Sequence, residues 1–163
     1  MDDTTPVRRL PLALGIAATV VVLDQVTKFW AVRTLAGREP IPVLGDFLQF
    51  RLLYNPGAAF SIGTDATWIF TIAAAVAVAV LAWYIARPQP RWWAIGLALM
   101  LGGAITHLAD RLFRAPGFAR GHVVDFIDYN GWFVGNVADI ALVCGAVSLV
   151  LLGLRKPETT TSR

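Results

Sequence analysis

Three aspartates, Asp125, Asp128 and Asp139, stand beside and inside the start of an apolar run in GHVVDFIDYNGWFVGNVADIALVCG, residues 121–145. In "VVDFI" a carboxyl sits between β-branched and aromatic neighbours, where lost hydration raises its pKa unless a partner compensates. Asn136, followed three residues later by Asp139, has the form of a helix N-cap with an acid in the first turn. Capping accounts for Asp139 and leaves Asp125 unexplained. If Asp125 and Asp139 converge, two close carboxylates resist double ionisation, so one keeps a proton while the other is charged. That state suits hydrolysis: the charged carboxylate activates water and the protonated one supplies a leaving amine.

The remaining polar clusters each admit a plain reading beside a functional one. "DQVTK" sets Asp24 and Lys28 one helical turn apart, either as a self-compensating ion pair or facing a polar cavity. "NPGAAFS" offers Asn55 and Gly57, a glycine that permits tight backbone geometry, among small residues that let another chain approach; it also reads as an ordinary turn. Ser61 lacks His and Lys partners and is not a candidate nucleophile. "GGAITHLADR" ends an apolar run with Gly102 and Gly103 for close helix contact and Asp110 and Arg111 at the interface, where the plain reading is that they anchor a span. His107 reads first as a hydrogen-bonded packing residue and His122 as a loop residue without a catalytic role. Cys144, the single cysteine, reads as a small packing residue. Neither zinc-ligand spacing, nor an HExxH helix, nor a glycine-rich phosphate loop is present, so no metal or cofactor is indicated.

These residues must be positioned by membrane helices. The chain is 56% hydrophobic and 15% charged, with a mean hydropathy of +0.61, too apolar for a soluble domain. Four runs, roughly 10–32, 67–86, 92–109 and 135–154, are long enough to cross a bilayer core, which predicts a mainly α membrane protein with both termini on one side. The first run follows Arg8 and Arg9 yet is too long for a cleaved signal, and is expected to remain as a span. In "FLQFRLLYN", Leu48, Phe50, Leu52 and Tyr54 alternate with Gln49, Arg51 and Leu53, predicting a half-buried strand within 40–63 and a small sheet at the membrane surface. "NPGAAFSIG" is expected to turn and to add a second short strand, and the tail 155–163 to be disordered. The tryptophans all fall near span ends, as an interfacial belt requires. The net charge of +3 lacks the basic and aromatic interleaving of a nucleic-acid surface, so nucleic acid is set aside as a partner.

Taken in order, "DQVTK", "NPGAAFS", "GGAITHLADR", "GHVVDFID" and "GNVAD" resemble the motif series of lipoprotein signal peptidases (signal peptidase II), over nearly the whole chain. The resemblance implies a bacterial inner-membrane aspartyl peptidase with four transmembrane helices, a small extracytoplasmic β-sheet and cytoplasmic termini. It implies removal of the signal peptide from prolipoproteins before a diacylglyceryl-modified cysteine, contact with membrane lipid, and sensitivity to globomycin-type antibiotics. It makes Asp125 and Asp139 the catalytic pair, with Asp24, Lys28, Asn55, Gly57, His107, Asp110, Arg111 and Asn136 lining or supporting the site, and leaves Asp128 a solvated loop acid. Asn55 or Asn136 are candidate donors to the oxyanion. Two positions depart from the pattern: His107 stands where the family usually has Asn, and Gly135 where it usually has Phe, removing apolar bulk at the entrance to the fourth span. Two other readings remain open on the residues alone: a transporter using Asp24, Lys28, Asp110, Arg111 and Asp139 as an ion path, and a catalytically inactive lipoprotein-binding scaffold.

Overall fold

A computed structural model describes residues 5–57 and 67–154. The elements run α1 (Leu10–Leu35), β1 (Ile41–Leu44), β2 (Leu48–Asn55), α2 (Thr67–Ile85), α3 (Arg91–Phe113), β3 (Val123–Tyr129), β4 (Phe133–Gly135) and α4 (Val137–Leu154). All four helices are long and apolar enough to span a bilayer, and they match the four expected runs with ends moved by a few residues. The sheet is antiparallel throughout, in the order β1-β2-β3-β4. The second strand expected in "NPGAAFSIG", Ser61 and the tail 155–163 lie wholly or largely outside the described residues.

Helix α3 is the axis of the bundle: half of its most apolar window is buried, against 22%, 11% and 17% for α1, α2 and α4. Small residues make this possible, since helices in lipid associate through close packing rather than through expulsion of water. A Cβ on Gly102 would lie 2.7 Å from the Val20 Cβ, and one on Gly103 would lie 2.8 Å from the Ala138 carbonyl oxygen. Successive residues on a helix point in different directions, so α1 is received on one side of α3 and α4 on another.

Helix α1 buries the stripe Ala13, Ala17, Val20, Asp24, Lys28, Ala31 and Leu35. Asp24 and Lys28 therefore occupy the packed face, each 0% exposed. The lower end of that stripe, Ala31 and Leu35, packs with Phe126, Phe50 and Leu52 to seat the sheet on the bundle. Trp30 meets Phe50 edge-on at 5.3 Å between ring centroids, so this tryptophan joins helix to sheet rather than serving only the interfacial belt.

The structure differs from the sequence reading in four places. Half of the sheet comes from 123–135, a segment not expected to form strands. Its signal was present: Asn130 and Gly131 take φ of 55° and 75°, and the Trp132 amide donates to the Tyr129 carbonyl at 3.1 Å, a tight Asn-Gly turn that closes a hairpin in which Tyr129 pairs with Phe133. Asp128 is not a solvated loop acid; it lies in β3, 5% exposed, 2.7 Å from the Arg51 Nε, and accepts the Gly131 amide at 2.7 Å. Cys144 faces outward from α4 instead of packing inside.

The fourth difference concerns β2. Phe50 pairs with Ile127 but Leu53 pairs with Asp125, so two residues of β2 oppose one of β3, a bulge that exchanges the faces of the strand. Beyond it Tyr54 is turned outward, 49% exposed, and Leu53 and Asn55 take the face of Asp125.

Replacing Gly103 with valine should force α4 away from α3 and cost about 1–3 kcal/mol. The expected result is a lower unfolding temperature in detergent for Gly103→Val, with Gly153→Ala, where a Cβ meets nothing within 4 Å, left unchanged. Equal unfolding temperatures for the two variants would contradict this account of the bundle.

Candidate active site

Asp125 reaches the site from β3 and is 2% exposed. Its Oδ1 accepts from the Asn136 Nδ2 at 2.6 Å and its Oδ2 from the Asn55 Nδ2 at 2.9 Å. Both amides are held in that orientation by their oxygens: the Asn55 Oδ1 accepts from the Gly57 backbone N–H at 2.7 Å, and the Asn136 Oδ1 from the Asp139 backbone N–H at 3.2 Å. Gly57 has φ +94°, and a Cβ there would come within 2.8 Å of the Arg111 guanidinium, so glycine is required on both counts.

Asn136 is the N-cap of α4, and Asp139 completes a reciprocal cap by accepting the Asn136 backbone N–H at 2.8 Å on Oδ2. The capping reading and the catalytic reading of this pair therefore coexist in one geometry. The other Asp139 oxygen, Oδ1, lies 3.2 Å from the His107 Nε2, with the two side chains 24% and 21% exposed. His107 is thus brought to the site and is not merely a packing residue. His122 stays in the loop after α3, its backbone N–H donating to the Ala115 carbonyl at 2.9 Å.

A buried charge network lies under this pair. The Lys28 Nζ sits 2.7 Å from the Asp24 Oδ2 and 2.8 Å from the Asp110 Oδ2. Asp24 accepts the Ala138 N–H at 3.0 Å, and Asp110 accepts the Val124 N–H at 3.2 Å. Each of these amides belongs to the residue immediately before one of the candidate catalytic aspartates. Lys28 therefore ties the backbone at Asp125 to the backbone at Asp139. Asp110 is further held by the Arg114 Nε at 2.6 Å and the Gln25 Nε2 at 3.2 Å; neither residue was singled out from the sequence, though Gln25 lies inside "DQVTK" and Arg114 just past "GGAITHLADR". Arg111 turns the other way, donating from Nη1 to the carbonyls of Asn55 and Gly121, each at 3.0 Å.

Asp125 is perturbed by its surroundings. Burial, with the neighbouring Asp139 charge, pushes Asp125 up to about 6, against the opposing pull of the Asn55 and Asn136 amides and of His107. Asn136 donates from Nδ2 to the Val124 carbonyl as well as to Asp125, which uses both amide hydrogens. It has none left for an oxyanion, whereas Asn55 keeps one among the described residues.

An apolar groove of about 310 Å³ opens beside Asp139, lined by Phe133, Gly135, Ile140, Val143 and Cys144 among others. A Cβ on Gly135 would fall 2.6 Å from the Phe133 ring and 2.9 Å from the Asp139 Oδ2. The apolar bulk expected to be missing at position 135 is thus supplied by Phe133.

A model of the family described as "Signal peptidase (SPase) II" matches residues 16–155. The chain belongs to the signal peptidase II family. It is 49% identical over 149 residues to the lipoprotein signal peptidase of Mycobacterium avium (strain 104), covering 91% of this chain and 82% of that one. To the lipoprotein signal peptidase of Rhodococcus jostii (strain RHA1) it is 48% identical over 154 residues, covering 94% and 77%. A solved structure described as a bacterial membrane enzyme superposes with a TM-score of 0.81 at 25% identity, covering 98% of this chain and 97% of that one. Family membership makes the chain a membrane-integrated protease that removes signal peptides from lipoproteins.

Two measurements probe this site. Lys28→Met leaves two buried carboxylates without their shared cation and should cost about 3–5 kcal/mol, lowering the unfolding temperature; adding Asp24→Asn and Asp110→Asn should recover part of the loss, and an unaltered Lys28→Met would refute the tie. Asp125, whose folded pKa of about 6 exceeds the ordinary value of about 3.9, favours the folded state fully below pH ~4 and loses that contribution as pH rises through 6. Asp125→Asn should therefore unfold at a higher temperature than wild type at pH 7.5, by up to about 3 kcal/mol of stability, with the gap closing towards pH 4. A gap that does not narrow over that range would contradict the assigned shift.

Proposed function

We propose that Asp125 and Asp139 form an aspartyl dyad that hydrolyses the peptide bond before a diacylglyceryl-modified cysteine of a prolipoprotein. The observation that carries this reading is Asn136, whose one side chain is bonded both to the Asp125 carboxylate and to the Asp139 backbone beside an apolar groove. Asp139, the more exposed member, takes the part of the base: it removes a proton from water, whose oxygen bonds to the scissile carbonyl carbon. Asp125, buried and pushed towards its protonated form, gives its proton to the departing nitrogen as the C–N bond breaks. Substrate lying over the site excludes water and raises Asp125 further. The remaining Asn55 N–H is a candidate donor to the developing oxyanion.

The lipid on the substrate cysteine explains the address. Acyl chains hold the scissile bond at the membrane surface, at the level where α4 begins, and the apolar wall of Phe133, Ile140 and Val143 suits an acyl chain or an apolar signal-peptide residue. The same wall would take a globomycin-type inhibitor. The segment at Val7 pairs with Gln89 in the turn between α2 and α3, at the end of the bundle away from the sheet. We assign that end and both termini to the cytoplasm, and the sheet and dyad to the outer side of the bacterial inner membrane.

Cleavage of a diacylglyceryl-modified prolipoprotein by the purified protein, with no metal added, tests the proposal. Wild type should cut before the modified cysteine, and Asp125→Asn and Asp139→Asn should each lose about 10²–10⁴-fold in rate. Undiminished cleavage by either variant would sink the dyad assignment; binding without cleavage by wild type would instead support a scaffold.

A further inference from the structure

His107 stands one turn before Arg111 on α3 and meets the Asp139 oxygen that the α4 cap leaves over. The charges that face it can be set out element by element. Helix α4 brings Asp139, and β3 brings Asp125, whose ionised form the imidazole charge favours. On α3 itself, Arg111 interacts electrostatically with both Asp125 and Asp110. Asp24 and Lys28 of α1 are bound to each other, and Lys28 to Asp110. The described part of α2 carries one titratable side chain, Tyr84, near its far end. The imidazole thus faces two carboxylates, and it is partly open to water, so it can exchange protons with solvent.

Building on the dyad reading above, we propose that His107 is a positioning residue: its Nε2, 3.2 Å from the Asp139 Oδ1, steadies that oxygen, and the charge its ring gains as pH falls keeps the dyad from being fully protonated and extends the working range to lower pH. The two effects separate by chemistry. A neutral imidazole protonated on Nε2 still donates, so positioning survives at alkaline pH. Only the charged ring opposes protonation of its neighbours, because a cation within hydrogen-bonding distance favours their ionised forms. A glutamine at this position can offer an amide N–H at similar reach but never carries the charge; alanine offers neither.

The test is the pH dependence of kcat and KM for lipidated prolipoprotein with wild type, His107→Gln and His107→Ala, with Asp139→Asn alongside. His107→Gln should move the acid limb upward by at least about half a pH unit and leave the alkaline limb in place. It should retain at least about tenfold more kcat than His107→Ala, with KM similar in both. The chain has two histidines, so imidazole NMR in micelles gives an independent readout: Asp139→Asn should move the ring resonances of one histidine and leave the other unmoved. Coincident acid limbs for wild type and His107→Gln, full kcat in His107→Ala, or no ring responding to Asp139→Asn would each overturn the inference while an active wild type upholds the dyad. A wild type inactive on lipidated substrate would bring down both.

Discussion

The ammonium of Lys28, buried between the carboxylates of Asp24 and Asp110, is the interaction on which the site depends. Burying any one of these charges alone would be costly; held together, with their remaining lone pairs taken by backbone amides, they become tolerable. What the arrangement gains is position. Asp24 holds the Ala138 amide and Asp110 holds the Val124 amide, so a helix and a strand that are distant in sequence are registered through one cation. Alternative partners inside an apolar bundle are scarce, which makes the registration discriminating as well as tight.

Above that network, capping and chemistry share atoms. The first-turn amides of α4 need acceptors wherever the helix starts, and Asp24, Asn136 and Asp139 supply them. Asp139 lies in the first turn of α4, where the helix terminus carries a partial positive charge. Asp125 has no helix terminus; it is buried in a strand, accepts from two amides, and is pushed towards its protonated form. A helix cap and a buried strand position thus give the two carboxylates different surroundings.

The hydrophobic surroundings complete the division of labour. Glycines at 102 and 103 bring α1 and α4 against α3, which sets Asp24, Asp110 and Asp139 within one polar layer. Gly135 leaves room for the Asp139 carboxylate and for the Phe133 ring, so that β4 adds an aromatic side chain to a groove wall otherwise formed by the first turns of α4. Close packing on one side and an open apolar face on the other leave Asp125 and Asp139 at the edge of the bundle.

The four spans were legible because twenty apolar residues have few fates other than a membrane helix, and the ordered motifs already pointed to Asp125 and Asp139. Asp24 and Lys28 could be paired from their i,i+4 spacing, but not placed: α1 is apolar on all sides, so its pattern names no buried face, and only packing put both on the stripe against α3. Asp128 was misread because its partner Arg51 lies far away in sequence, and 123–135 was taken for an approach to a span although its Asn-Gly turn announced a hairpin. Most telling is Asn55. Strict alternation along β2 would have turned it away from Asp125; the bulge between Phe50 and Leu53 reverses the faces and delivers its amide to the carboxylate. The sequence by itself determined which residues are costly to bury and how far apart they lie along the chain. Which of them meet was decided by strand register and helix packing, because both arise from contacts between distant segments that no local period encodes.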